Sequence, residues 1–272
     1  PFTRGVDANG NRSRLWTMAQ VTGFGKGMAW AKRARYMLDQ GLQGLILEYD
    51  LPTTNGYDSD NPLVAGEVGR AGMALDSLAV QTGIDRSRMD VLVVDNGSTD
   101  NTLEVVEQYR SRLPFDLSTA SEPHQGISFA RNKSLEAARG DIVAYIDDDA
   151  IAAPDWAAQH LRAYETDPEV RGVMGRIFPV WEGERPDWLD PLLESYLTVC
   201  DYGDEPFDLA GTTHAPVGAN MSLSRPAMIE VGGFDVRFGF GGLDKIPGEE
   251  NEHARRIWAK GWKLVYWPAA SV

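Results

Sequence analysis

GDIVAYIDDDAIAAPDW (Gly140–Trp156) decides the fold. Five apolar residues, Ile142–Ile146, run without interruption into three acids, Asp147, Asp148 and Asp149. A short continuous apolar run bounded by turn residues is the pattern of a buried parallel strand. A second stretch, VLVVDNGSTDNT (Val91–Thr102), has the same design, with Val91–Val94 running into Asp95 and Asn96. Helical patterns lie around these strands. They are expected at Ala74–Leu78, at Thr102–Leu113, and at Ile127–Arg139, which stops at Gly140. Pro154 opens a further helix with Trp156, His160 and Tyr164 on one side. Strands alternating with helices imply an α/β fold, a mostly parallel sheet with helices on both faces.

In such a sheet, ligands bind in the crevice at the carboxyl ends of the strands. Both acidic clusters should therefore face one crevice. Adjacent desolvated carboxylates repel one another unless a cation sits among them. Hard oxygen donors suit Mg²⁺ or Mn²⁺. The competing readings are a solvated helix cap for Asp147–Asp149 and plain turn chemistry for Asp95. Other motifs fail. A calcium loop starting at Asp95 would need Gly at Asp100 and Glu at Val106. GFGKGM (Gly23–Met28) lacks the third Gly of a dinucleotide fingerprint. His124, His160, His214 and His253 show no zinc spacing.

The 272 residues divide into three parts. Residues 1–66 are hard to place, with a basic amphipathic helix expected at Met28–Gln40, packed on a core or lying on a membrane surface, and a short strand at Leu45–Leu47. Residues 67–172 form the alternating half. Residues 173–272 are richer in Trp, Pro and Gly and carry a helix near Glu250–Lys260 that ends at Gly261. With 26 basic and 40 acidic side chains the net charge is −14, which disfavours a nucleic-acid groove. The single cysteine, Cys200, excludes an internal disulfide framework and suits a reducing, cytoplasmic compartment. No apolar run approaches the roughly 18 residues of a membrane span.

Five blocks together carry a resemblance: VLVVDNGSTDNT, EPHQGISFARNKSLEAARGDIVAYIDDDAIAAPDW, PVGANMSLSR, VGGFD and GEENEHARRIWAKGWKLVYWPAASV. In this order they closely resemble family 2 glycosyltransferases of the GT-A fold, from about Leu75 to the end. The resemblance implies a Rossmann-like mixed sheet and a metal-dependent, inverting transfer of sugar from a UDP-, GDP- or dTDP-sugar to a glycan or lipid-linked acceptor. This activity would lie in the cytoplasm or at the inner face of the membrane.

It also implies roles. Asp95 and Asn96 would meet the nucleotide base, and Arg131 the nucleotide or its diphosphate. Asp147 would lie near the ribose, Asp149 would hold the metal, and Asp148 could do either. Gly218, Ala219 and Asn220 would line the sugar and acceptor pocket. Glu249 and Glu250 match an acidic pair whose second member is the general base, where Asp is commoner than Glu. Their competing role is helix N-terminal charge, which also explains Glu252 through pairs with Arg255 and Arg256. The Gly-rich loop GFGGLDKIPG (Gly239–Gly248) is expected either to close over substrate or to form a static turn. Trp181 or Trp188 is the candidate for stacking on a sugar ring. The family's opening strand and its nucleotide-touching loop have no evident counterpart in residues 1–66, and relatives often place a His beyond the equivalent of Val272. Two other readings share these features, an inactive nucleotide-sugar or glycan-binding relative and a sugar nucleotidyltransferase. The second would normally show a basic Gly-rich loop near its start.

Overall fold

A computed structural model describes residues 19–22, 44–47, 71–98, 102–180, 185, 189, 197–239, 241, 243, 244 and 246–272. The chain divides into two compact units, residues 1–68 with 183–196, and residues 69–182 with 197–272. In the first unit, β1 (Ala19–Thr22) and β2 (Gly44–Leu47) form a parallel pair. The strand expected at Leu45–Leu47 is thus present. The helix expected at Met28–Gln40 and the tryptophans Trp181 and Trp188 lie outside the described residues.

The second unit begins with α1 (Ala71–Ala79), followed by β3 (Asp90–Asp95), α2 (Thr102–Tyr109), β4 (Asp116–Ser121) and α3 (Ile127–Ala137). Then come β5 (Ile142–Ile146), α4 (Trp156–Thr166), β6 (Val170–Arg176) and β7 (Phe207–Asp208). The chain continues through β8 (Asn220–Ser224), α5 (Arg225–Val231), α6 (Glu249–Ala259) and β9 (Lys263–Ser271). β3 and β4 pair in parallel, and a five-stranded sheet has the order β5-β8-β6-β9-β7. That sheet is mixed. β6 and β9 are parallel, whereas β8 runs antiparallel to β5 and β6, and β7 antiparallel to β9.

Among the described residues β3 pairs only with β4, and β5 only with β8. Val91–Val94 are accordingly half-buried rather than sealed on both faces. Helix α3 covers β3 and β4, and α4 covers β6 and β9. The main core lies between the five-stranded sheet and helices α5 and α6, where Met174, Met221, Leu223, Met228, Ile257 and Tyr266 are fully buried. A second core joins Leu78 of α1, Phe115, Trp156, Ala157 and Ala270.

Helix α1 holds the acidic turn after β5. The Ala74 amide donates to the Asp148 carbonyl (3.4 Å), and Ser77 Oγ accepts from the Ala152 amide (3.0 Å). Gln81 is fully buried. Its amide group donates to the carbonyl of Ala153 (2.8 Å) and accepts from the amide of Ala157 (3.0 Å). Nothing in the sequence around Ser77 and Gln81 marks them for this task, because their partners lie some 75 residues away.

Candidate functional site

β3 ends at Asp95, whose Oδ1 accepts the Ser98 amide (3.0 Å), so the turn chemistry of DNGS is present. The Asn96 side chain is spent on the fold. Its Nδ2 donates to the carbonyls of Glu122 (2.9 Å) and His124 (2.7 Å), and its Oδ1 accepts from the Gly126 amide (2.8 Å). Asn96 thereby fixes the loop that leads into α3.

β5 ends at Asp147–Asp149. The Asp147 carboxylate touches solvent but is crowded by protein. Desolvation and the charge of Asp149 push it up to about 6, against the opposing pull of Arg131. Among the described residues no three His, Cys, Asp or Glu side chains converge as a preformed metal cage. The donor set nevertheless fits a hard divalent cation: it is all carboxylate oxygen, and its like charges crowd one another as a bound cation would relieve.

Helix α6 begins at Gly248, which has a left-handed φ of 104°, and carries Glu249 and Glu250 in its first turn. Both carboxylates meet one guanidinium. Arg131 Nη1 lies 2.9 Å from Glu249 Oε1, and Nη2 lies 2.9 Å from Glu250 Oε1. The exposed fraction of these side chains is only 7% for Arg131, 7% for Glu249 and 15% for Glu250. The Gly218 amide donates to the same Glu250 oxygen (3.2 Å). Burial and the charge of Glu250 raise the Glu249 carboxyl above its ordinary range, with Arg131 opposing. Beneath the guanidinium lie the rings of Phe234 and Tyr145, 5.3 and 5.8 Å from its carbon. His253 stacks on Phe234 (4.6 Å), and burial lowers its imidazole to about 4.

The expected positions therefore separate into two groups. Arg131, Glu249, Glu250 and Gly218 converge, and Asp147 lies within range of the charges of Arg131 and Glu250. Arg131, expected at the nucleotide or its diphosphate, is clamped between two glutamates. Asn220, expected in the sugar pocket, is fully buried. Its Nδ2 donates to the carbonyls of Arg176 and Ala270 (2.9 Å each). Its Oδ1 accepts from Trp156 Nε1 (2.8 Å) and from His160 Nε2 (3.1 Å). Every polar atom of that side chain is thus used inside the core. Ala219 is buried beside it.

The Gly-rich loop is stapled where it is described. Ser128 Oγ donates to the Phe238 carbonyl (2.8 Å), and the Gly239 amide to the Ile246 carbonyl (2.7 Å). Gly126 and Gly241 approach so closely that a Cβ on Gly126 would fall 2.8 Å from the Gly241 carbonyl oxygen. Trp258, Trp262 and Trp267 pack against core clusters.

Comparison with known proteins separates the two ends of the chain. The glycosyl transferase family 2 model matches residues 70–232, and a methylmalonyl-CoA mutase model matches residues 1–106. Glucosyl-dolichyl phosphate glucuronosyltransferase of Haloferax volcanii is 33% identical over 150 residues, 54% of this chain and 46% of that protein. The large subunit of 2-hydroxyisobutanoyl-CoA mutase from Aquincola tertiaricarbonis is 40% identical over 125 residues, 44% of this chain and 22% of that protein. The structure of a mannosyltransferase from Pyrobaculum calidifontis, solved with GDP-Man and Mn²⁺, superposes with a TM-score of 0.54 at 23% identity, covering 74% of this chain and 52% of that one. The chain thus spans about half or less of the length of each of these proteins. Residues 1–66, whose motifs carry no family resemblance of their own, lie within the stretch similar to the methylmalonyl-CoA mutase model. Where the two matches overlap, at residues 70–106, α1 and β3 pack with the second unit, their Leu75, Leu78 and Val91 sharing cores with Phe115 and Leu117. The mixed α/β fold is that of GT-A glycosyltransferases, and because the family model spans more than half of its residues, the chain belongs to glycosyl transferase family 2.

Proposed function

We propose that this protein transfers a sugar from a nucleoside-diphosphate donor to a hydroxyl group of a glycan or lipid-linked acceptor, inverting the anomeric centre, with Glu250 as general base. The observation that carries this reading is the pairing of Arg131 with both Glu249 and Glu250, which seats the first turn of α6 against α3 and Gly218. The acceptor oxygen attacks the anomeric carbon from the face opposite the leaving group. The bond from that carbon to the diphosphate oxygen breaks, and its electron pair leaves with the diphosphate. The hydroxyl proton passes to Glu250. Asp149 and Asp147 would hold Mn²⁺ or Mg²⁺, whose chemistry is to neutralise charge on the departing diphosphate. In this reading Asp95 meets the nucleotide base, and Asp148 serves either the ribose or the metal. Gly218 and Ala219 border the sugar.

The mannosyltransferase solved with GDP-Man and Mn²⁺ supports a metal-assisted nucleotide-sugar donor, and the dolichyl-phosphate relative supports a lipid-linked acceptor. No helix among the described residues is long and apolar enough to cross a membrane. With a lipid-linked acceptor, this reading puts the enzyme at the cytoplasmic face of a membrane. Calorimetric titration with UDP, GDP and dTDP, each with and without Mn²⁺, tests the donor site. Metal-dependent binding of one nucleotide is expected, and binding of none would overturn the reading.

A further inference from the structure

We infer that Arg131 is a positioning residue for the Glu250 carboxylate rather than a ligand of the donor diphosphate. This rests on the role proposed above for Glu250. Both terminal nitrogens of the guanidinium are engaged, one with each glutamate at 2.9 Å. Swinging the guanidinium out toward a diphosphate would leave two buried carboxylates without a counter-charge, which is strongly unfavourable. The bed of Phe234 and Tyr145 fixes the plane of the fork from below. Gly218 abuts the fork, because a Cβ there would lie 1.8 Å from Arg131 Nη2 and 2.9 Å from Glu250 Oε1. The requirement for glycine at position 218 thus comes from the guanidinium. The Gly218 amide and Arg131 Nη2 converge on one oxygen of Glu250, which sets the orientation of that carboxylate.

The charges around Glu250 show why the fork is needed. The carboxyls of Glu249 and Asp147 lie near it, and neither Tyr145 nor His253, which burial holds neutral, brings a positive charge. Arg131 is the cation recorded against this acidic pair. Lysine could not replace it, since a single ammonium lacks the planar fork that reaches two carboxylates at once.

The test uses the whole chain and follows nucleoside diphosphate release from UDP-glucose, GDP-mannose or dTDP-glucose with Mn²⁺, water serving as acceptor. Wild-type turnover and its loss in Glu250→Gln establish the underlying reading. If wild type releases none, or Glu250→Gln stays active, that reading fails and the positioning role falls with it. Given both, Arg131→Ala and Arg131→Lys are expected to lower kcat by about 100-fold or more, the scale of general base catalysis. The Kd of the matching nucleoside diphosphate with Mn²⁺ should stay within about threefold, a shift smaller than that of one lost charged hydrogen bond. Low concentrations of guanidinium should restore part of kcat to Arg131→Ala and none to Glu250→Gln. A Kd raised about tenfold or more with kcat preserved would make Arg131 a donor ligand and overturn the inference. Should both Arg131 variants fail to fold, Gly218→Ala decides, because its Cβ would occupy the space of the guanidinium. Reduced kcat with an unchanged Kd is expected there, and unchanged kcat would overturn the inference.

Discussion

Glu250 and Asp149 lie on different elements and, in the proposed reaction, do different work, so their variants should fail differently. Glu250→Gln keeps the size of the side chain and its acceptor oxygen but cannot take a proton. We expect it to bind nucleotide and Mn²⁺ normally while transfer falls by about 10²–10⁴-fold. Normal turnover would remove Glu250 as base. Asp149→Ala should lose the Mn²⁺-dependent part of nucleotide binding, read by calorimetry. An unchanged affinity with Mn²⁺ would remove its metal role. Asn220→Ala makes a third contrast. It strips a hub that joins Trp156, His160, Arg176 and Ala270, so its cost should appear as a lowered unfolding midpoint, with the nucleotide Kd of the folded protein unchanged.

Helix α3 ties two of the quoted motifs together. Asn132, next to Arg131 in the ARN block, donates through Nδ2 to the Phe234 carbonyl and accepts the Phe234 amide on Oδ1, both at 2.7 Å. Phe234 belongs to VGGFD and forms part of the bed under Arg131. Arg256 of α6 then donates to the carbonyls of Val231, Gly232 and Gly233 and pairs with Glu252 (2.7 Å). The α5–α6 connection is thereby fixed to α3 on one side and to α6 on the other. Asn132→Ala removes both bonds and leaves backbone groups of Phe234 unpaired. We expect a loss of about 1–3 kcal/mol in urea unfolding, together with a smaller kcat, because the bed of Arg131 loosens. Retention of full stability would show that the loop holds itself.

Across the whole second unit, two buried histidines make stability depend on pH. His160 and His253 are each lowered by burial to about 4, from an ordinary value near 6.5. The unfolded chain therefore takes up protons between these values while the folded chain does not. Their contribution is complete above pH ~6.5 and is lost as pH falls toward ~4. The urea midpoint should decline through that window, against the opposing proton uptake by the raised carboxyls of Asp147 and Glu249. Imidazole NMR resonances titrating near ~6.5 in the folded protein would mean that these rings are solvated. Burial keeps the His160 ring neutral, against the opposing pull of its bond to Asn220. Asn220 Oδ1 accepts from its Nε2, and its Nδ1 lies 2.9 Å from Ser222 Oγ.

Much of this organisation is written locally in the chain. Ile142–Ile146 is a strand with the expected limits, and the helices that begin at Thr102 and Ile127 and the one rich in Glu at 249–259 are present. They were readable because a hydrophobic period, a cap and a following acid are near neighbours in sequence. Boundaries were less legible. The helix from Thr102 ends at Tyr109 rather than Leu113, and the helix from Ile127 ends at Ala137 before Gly140. β4, with the polar sequence DLSTAS, has no apolar run to announce it and exists through its pairing with β3. The acids at the strand ends were visible as residue types at a place where ligands bind. Which charge meets which was not visible, because the ion pairs of Arg131 span more than a hundred positions. Sequence alone therefore determined the α/β class, the acidic strand ends and the family. Tertiary structure alone decided that Asn220 is a core hub and that Arg131 belongs to the glutamate pair, since a side chain's partner is set by which elements pack together and by what their burial requires to be neutralised.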